Sequence, residues 1–404
     1  MRILMFNYEF PPVGGGGGWV THFLGKRFVE AGHEVQLITS RYRDLPKTET
    51  VEGFHVHRVP ALRKRKDVCR VHEMLTYVVS SSLYGLKAVK RFRPDIIQVF
   101  FGIPSGLGAY LIKRVYGYPY VVFLGGRDVP RPNPDPPSYR WLYRLLAPSI
   151  RGIWRDAAAV VACSDGLRAL ARRTESEIPI QVIPDGLDLR RFAAAPRRIQ
   201  PERVCVLTVS RLIPRKGVDC LIRALPKVVT QAQSSFEVEI VGDGPERLSL
   251  ETLAQKAGVR HLVRFTGSVP YSDLPLKYRD ADLFVLCSFA EGMPLVVLEA
   301  MGSGLPILAS RVQGIEELVE PGVNGRVFEP GDVDTLAAGL VEMINNGHAR
   351  AKMGEASVAR AQPYDWKHIA AAYLDIYQQI VTFPPTPLPP TPAPLQGGDG
   401  EGRA

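Results

Sequence analysis

Short apolar runs that each break into a turn and then a helix-length amphipathic stretch recur along nearly the whole chain, in two series. Strands apolar on both faces must be covered on both faces, and helices between them impose parallel crossovers. The first series begins with Arg2-Ile3-Leu4-Met5-Phe6-Asn7, five glycines from Gly14 to Gly18, a helix expected from Trp19 to Ala31 and closed by Gly32, and a strand at Glu34–Thr39. Further strands are expected at Asp95–Phe100, Pro119–Leu124, Ala157–Ser164 and Gln181–Gly186, with a helix at Ser105–Tyr116. Residues 188–202 have no periodicity and carry Arg, Ala and Pro, which places an interdomain linker at 191–202. The second series runs from the strand Val204–Ser210 through a helix at Val218–Gln231, Phe236–Val241, a helix ending at Gly258, Val263–Gly267, and strands around Leu283, Ile307 and Val327. The expectation is an α/β protein with two parallel-sheet domains, 1–190 and 203–362. An amphipathic helix at 364–381 follows, and then a Pro/Gly-rich tail, 383–404, with the composition of disorder.

A chain of 404 residues, 46% hydrophobic and 23% charged, supports two such cores. Its net charge of +9 favours anionic partners without choosing among nucleotides, lipid headgroups and nucleic acid. Nothing resembling a nucleic-acid recognition motif accompanies the charge, so no nucleic-acid partner is expected. Cys69, Cys163, Cys205, Cys220 and Cys287 have no Cys-x-x-Cys spacing and read as free thiols of a reducing compartment. No apolar run approaches 18 residues and no cleavable signal pattern precedes Asn7, so the expected location is cytoplasmic, soluble or peripheral at the inner membrane face.

The chemistry concentrates after the strand-like run Ala281–Ser288, where Glu291-Gly292-Met293-Pro294-Leu295 leads into an apolar helix that stops at Gly302 and Gly304. Pro294 suits a first helical position. The free N–H groups of a helix start favour a phosphate. Glu291 would stand at that end, and Glu299 five or six residues further on, roughly 8–9 Å along the axis. Two carboxylates bracketing a phosphate site suit a ligand with hydroxyls on both sides of a diphosphate, as in a sugar nucleotide. Taken alone, the same pattern also describes an acid favoured by the helix dipole and another on a solvated face.

Elsewhere the signals are weaker. The glycine run is followed by no Gly-Lys-Ser/Thr and is too long for a tight dinucleotide turn, so it reads either as backbone approaching a ligand or as a surface loop. Arg58, Arg63, Lys64, Arg65, Lys66 and Arg70 face one acid, Asp67, ahead of an apolar stretch from Val71 to Lys90. Segment 58–90 thus suits a solvated loop, a grip on an acidic substrate, or peripheral contact with an anionic membrane. Gly125-Gly126-Arg127-Asp128 lies at a strand's carboxyl end, and a stiff loop, Pro130–Pro137, follows. His55-x-His57 lacks a third metal ligand, and Ser164-Asp165-Gly166 reads as a helix N-cap.

In this order and spacing, Ser210-Arg211-Leu212 with Lys216-Gly217, Val241-Gly242-Asp243-Gly244-Pro245, Phe265-Thr266-Gly267, Ala281-Asp282-Leu283 and Glu291-x7-Glu299 resemble the retaining GT-B glycosyltransferases of family GT4, to about residue 380. The resemblance implies two Rossmann-like domains facing across a cleft, with the last helix crossing back to the first domain. It implies transfer of a hexosyl unit from an NDP-sugar, UDP- or GDP-linked, to a hydroxyl of a glycan or lipid-linked acceptor, with no metal and no other cofactor. Arg211 and Lys216 would bind the diphosphate, and Glu299 the ribose. Glu291 would sit at the transferred sugar, with backbone of Gly292, Met293 and Leu295 beside sugar and phosphate. Backbone near Val269 would meet the base, and Gly15 and Gly16 would close over the phosphates. Many members carry a His where this chain has Gly125–Asp128, so Asp128 would contact the sugar, orient the acceptor or merely cap a turn. The Glu291/Glu299 pair keeps open a glycoside hydrolase or phosphorylase, and the departure at Gly125–Asp128 a non-catalytic sugar-nucleotide binder.

Overall fold

The computed structural model describes residues 1–65, 69–126, 128–131, 138–194 and 203–383. The expected tail from 384, most of the linker, most of the proline-rich loop, and Lys66, Asp67 and Arg127 lie outside the described residues.

The first domain carries strands β1 (Arg2–Phe6), β2 (Glu34–Ser40), β3 (Thr48–Val51), β4 (Phe54–Val59), β5 (Ile96–Phe100), β6 (Tyr120–Leu124), β7 (Ala159–Ala162) and β8 (Ile180–Val182). Among the described residues they form one sheet in the order β3-β4-β2-β1-β5-β6-β7-β8. It is parallel except for the β3–β4 hairpin, which the apolar-run pattern does not reveal because its residues alternate polar and apolar. Ile3 lies in register with Val35 on one side and Ile96 on the other, and all three are fully buried. The helices are α1 (Gly16–Glu30), α2 (Val71–Phe92), α3 (Gly102–Tyr116), α4 (Tyr139–Asp156) and α5 (Asp165–Arg172). Three glycines expected in a loop, Gly16, Gly17 and Gly18, thus enter the first turn of α1. Ser164 caps α5, its hydroxyl accepting from the Leu167 N–H at 3.1 Å.

The second sheet orders its strands β11-β10-β9-β12-β13-β14, all parallel. They are β9 (Arg203–Val209), β10 (Ser235–Val241), β11 (Val263–Gly267), β12 (Leu283–Leu286), β13 (Ile307–Ser310) and β14 (Gly325–Phe328). Helices α6 (Val218–Gln231), α7 (Arg247–Lys256), α8 (Leu274–Arg279), α9 (Leu295–Gly302), α10 (Val333–Asn345) and α11 (Gly347–Ala361) accompany them. The fold class is therefore the one expected.

The final helix, α12 (Trp366–Thr382), crosses back onto the first domain. Trp366 stacks on Phe23 of α1 with ring centroids 5.4 Å apart, and the Tyr377 ring packs on Phe28. Gly186 makes room for Trp366, since a Cβ there would stand 2.4 Å from the indole. The buried Tyr377 hydroxyl donates to Gln98 Oε1 of β5 at 2.6 Å. All five thiols are pushed above the ordinary cysteine value by burial. Tyr377→Phe leaves the Gln98 carbonyl buried without this donor and should lower stability by about 1–3 kcal/mol, read as a lower urea midpoint.

Candidate active site

The carboxyl edges of the two sheets face each other, and the candidate residues meet between them. After β9 the chain makes a single 3₁₀ turn, Pro214–Lys216, ended by Gly217 at φ 60°. A Cβ on Gly217 would lie 2.2 Å from the Cys287 carbonyl oxygen, so only glycine brings this turn against the loop that follows β12. The approach places Lys216 Nζ 2.6 Å from Glu291 Oε1, with both side chains nearly sealed from solvent. Arg215 Nη1 also donates to the Ala290 carbonyl at 3.3 Å, and the Phe289 N–H to the Arg215 carbonyl at 2.8 Å. Burial alone would raise the Glu291 carboxyl. Lys216 foremost, then Arg215 and the hydrogen bond from Lys216, bring it below its ordinary value, so it is ionised at neutral pH.

Arg211 leaves the end of β9 and meets the glycine loop of the first domain, where a Cβ on Gly15 would stand 3.5 Å from its guanidinium carbon. A Cβ on Gly16 would lie 3.7 Å from Leu295 at the start of α9. The Gly15 N–H donates to Glu9 Oε2 at 3.0 Å, which ties this loop to the floor of the first domain. Gly15, Gly16, Arg211, Lys216, Glu291 and Leu295 thus come together from both sides of the cleft. Gly292 is wedged beneath them: its carbonyl accepts from Ser164 Oγ at 3.0 Å, and a Cβ on it would meet the Gly125 carbonyl at 2.7 Å. Next to it, Met293 Sδ accepts from the Asp185 N–H at 3.2 Å.

One expectation is corrected. Pro294 is the N-cap of α9, with extended ψ of 109°, and the helix begins at Leu295. Glu299 is therefore displaced only about 6 Å along the axis from the first helical residue. Asp128 takes the capping role: its carboxylate accepts from the N–H groups of Gly102, Gly125 and Gly126 at 3.1, 3.2 and 2.9 Å. Burial pushes it up to about 6 against the pull of those amides. Three converging backbone donors hold it on the β6 loop and the start of α3, which is the capping arrangement among the roles the sequence left open.

Glu299 is buried, and its Oε2 accepts from the Tyr278 hydroxyl at 2.8 Å. Burial pushes its carboxyl up to about 7, while hydrogen bonds from Tyr278 and Tyr271 pull the other way. Tyr271 lies two residues beyond the half-buried Val269, and its ring stacks on Trp19 of α1 at 4.1 Å. The Arg191 guanidinium covers the same ring, 5.3 Å from its centre. One aromatic thereby joins the carboxylate expected at the ribose to the opposite domain. His57 and His55 hydrogen-bond to Tyr84 and Thr50, and among the described residues no group of His, Cys, Asp and Glu could hold a metal ion.

Two family models divide the chain between them: a glycosyl transferase 4-like domain over residues 15–186, and glycosyl transferases group 1 over 190–360. A relative in Mycolicibacterium smegmatis, a GDP-mannose-dependent alpha-(1-6)-phosphatidylinositol monomannoside mannosyltransferase, is 33% identical, covering 88% of this chain and 92% of its own. This chain belongs to the group 1 (GT4) glycosyltransferases. An uncharacterized glycosyltransferase of Methanocaldococcus jannaschii is 28% identical over 94% of this chain and 98% of its own. Among solved structures, the sucrose-phosphate synthase of Thermosynechococcus elongatus superposes with a TM-score of 0.80, at 20% identity over 94% of this chain and 99% of its own. Anabaena HepE in complex with UDP-glucose superposes at 0.74, with 20% identity over 94% of this chain and 100% of its own. The architecture is GT-B.

Several contacts of this glycosyltransferase were not anticipated: Arg215 on the Ala290 carbonyl next to Glu291, Glu9 on the glycine loop, Ser164 on Gly292, and the tyrosines around Glu299. The last had a signal. A lone acid in Leu295-Val296-Val297-Leu298-Glu299-Ala300-Met301 has no partner within its own helix, so it requires one from outside. Because its folded value, about 7, exceeds the ordinary 4.5, Glu299 holds its proton longer in the folded than in the unfolded chain. Its ionisation therefore lowers stability as pH rises from about 4.5 to about 7, by up to roughly 3 kcal/mol. Melting temperatures of the wild type and Glu299→Gln across that window should diverge, the variant declining less with rising pH.

Proposed function

We propose that this glycosyltransferase moves a hexosyl unit from an NDP-sugar to an acceptor hydroxyl of a glycan or lipid-linked precursor, with retention at the anomeric carbon and without a metal. The observation that carries the reading is the buried Lys216–Glu291 pair beside the start of α9, closed from the opposite side by Arg211 and the glycine loop. A diphosphate over the α9 start would be met by backbone N–H groups and two cations, which offset the charge that develops as the nucleoside diphosphate leaves. Arg211 and Lys216 supply the positive charge a metal would otherwise bring. Glu291 holds Lys216 in place and offers its second oxygen to sugar hydroxyls. Glu299, deeper in the site, accepts from the ribose. For Gly292, Met293 and Leu295 the proposed contacts are backbone N–H groups to sugar and phosphate, and for Val269 backbone to the base. In the front-face step the C1–O bond to phosphate breaks, the acceptor oxygen bonds to C1 on the same face, and its proton passes to the departing phosphate oxygen. Relatives named for GDP-mannose and solved with UDP-glucose support a hexosyl donor, and the buried thiols fit a reducing, cytoplasmic compartment.

A hydrolase using the Glu pair has one observation in its favour: the Glu291 carboxyl is lowered while that of Glu299 is raised to about 7, a divergence in the sense that acid and base roles require. Against it, Glu299 is engaged by tyrosine hydroxyls rather than open to a glycosidic oxygen. Product analysis separates the two. With donor and acceptor, nucleoside diphosphate should be released in step with a glycoside of unchanged anomeric configuration by NMR. Arg211→Ala and Lys216→Ala should each lower kcat by a hundredfold or more. Release of free sugar as the main product, or unchanged kcat in both variants, would sink the reading.

A further inference from the structure

The first domain carries an exposed apolar groove of about 680 Å³ that no part of the proposed reaction uses. Its walls are the segment after β4, with Pro60 and Leu62, and the outer face of α2, with Leu75, Val79 and Leu83; Arg41 and Arg43, just beyond β2, close one end. Leu62, Leu75, Val79 and Leu83 are 67, 58, 60 and 60% exposed. The last three stand four residues apart on α2, so they form a continuous stripe. Single exposed leucines are ordinary; an aligned stripe lining a groove is not.

The charges around the stripe choose its partner. The outward face of α2 continues from Leu83 into exposed Lys87, Lys90 and Arg91, and exposed Lys64, Arg65 and Arg70 lie in the segment before the helix. The one acid of α2, Glu73, is buried, accepting from the Lys64 and Arg70 N–H groups. Asp44 is the exposed acid next to the groove's arginines. Arg58 and Arg63 of the basic segment are turned inward, onto Glu49 and Tyr8. At the closed end, Arg41 Nε is buried and finds no acceptor among the described residues. On α4, which with α3 and α2 forms one helical layer, Trp141 and Leu145 are 62 and 66% exposed beside exposed Arg140 and Arg144. Each of these helices follows a strand of the parallel sheet, so the N-terminal halves that carry the apolar residues lie at the sheet's carboxyl edge, beside the cleft. Branched apolar side chains and a tryptophan fringed by cations fit the interface of an anionic bilayer.

We propose that this face seats the enzyme on an anionic phospholipid bilayer, with the groove against acyl chains and Arg41 and Arg43 on headgroup phosphates. The acceptor would then be drawn from that surface; this last step rests on the function proposed above, whereas the docking does not. The test is flotation of the full chain with vesicles of phosphatidylcholine alone or with 30% phosphatidylglycerol, an arbitrary working composition of about one-third anionic lipid. The protein should float with the anionic vesicles only, less so at high salt. Leu75→Glu with Val79→Glu should abolish flotation, and Arg41→Ala with Arg43→Ala should weaken it roughly 30-fold, as two interfacial cations would. Both variants should keep the wild-type melting temperature and the rate of nucleoside diphosphate release on a water-soluble acceptor, so a failed membrane reading and a failed catalytic one are told apart. Absent flotation, equal flotation on neutral vesicles, or flotation indifferent to the two glutamates overturns the proposal. So does a dimer dispersed by those glutamates without vesicle binding, which assigns the groove to a second copy.

Discussion

Everything in the cleft depends on how closely backbone approaches backbone at Gly292. Side chains cannot intervene there: a Cβ on Gly292 would meet the Gly125 carbonyl at 2.7 Å, and one on Gly314 would meet the Gly292 carbonyl at 2.0 Å. The peptide is clamped between domains, with its carbonyl held by Ser164 and the next side chain, Met293, set against the Asp185 N–H. The consequence is angular. With the residue after it immobilised, Glu291 is aimed back toward Lys216, and the first residues of α9 present their N–H groups into the cleft. Preorganisation of this kind matters for a charge-stabilising site, since dipoles already in place need not reorganise as charge develops.

The two carboxylates, eight residues apart, are separated by environment. Glu291 shares a nearly sealed pocket with a cation and stays ionised; Glu299 is buried among tyrosine hydroxyls and rises to about 7. An uncharged or barely charged acid is cheaper to bury, and it can still accept from a ribose hydroxyl once a ligand displaces or joins the tyrosines. Tyr271 gives this a domain-scale extension, because the same ring touches Glu299 at one end and Trp19 of the other domain on its face. Occupancy at the ribose position and closure of the cleft thereby share one side chain.

The parallel sheets were legible because strands such as Ile96–Phe100 are buried throughout, and a run of that kind has few alternatives. The β3–β4 hairpin and α4 were not. Thr48–Val51 alternates like any surface segment, and α4 interleaves arginine with aromatic and apolar residues over a helix that keeps much of its surface in solvent. In the site, cation and carboxylate positions could be read locally, since each sits just past a strand. Their partners could not: Tyr278 reaches Glu299 from 21 residues away, and Ser164 reaches Gly292 from 128. Asp128 marks the same limit. Its residue type suited either a sugar contact or a turn, and the convergence of three amides that makes the cap comes from two separate segments.

That limit explains why the donor half is better defined than the acceptor half. The donor recognition proposed here rests on backbone at strand ends and on charges a few residues beyond, features that a strand–turn–helix pattern locates. Under the docking proposed above, the acceptor side would rest on which face of α2 remains uncovered, and α2 carries apolar residues from Met74 and Leu75 through Tyr77, Val79 and Leu83 to Val89. From the sequence alone, which face of such a helix stays open is not readable. In the fold it is covered by β2, β4 and α3 and left open on the stripe through Leu75, Val79 and Leu83. An apolar surface left open beside a cleft is costly to keep in water, so its persistence argues for a partner that is apolar on the scale of the whole face.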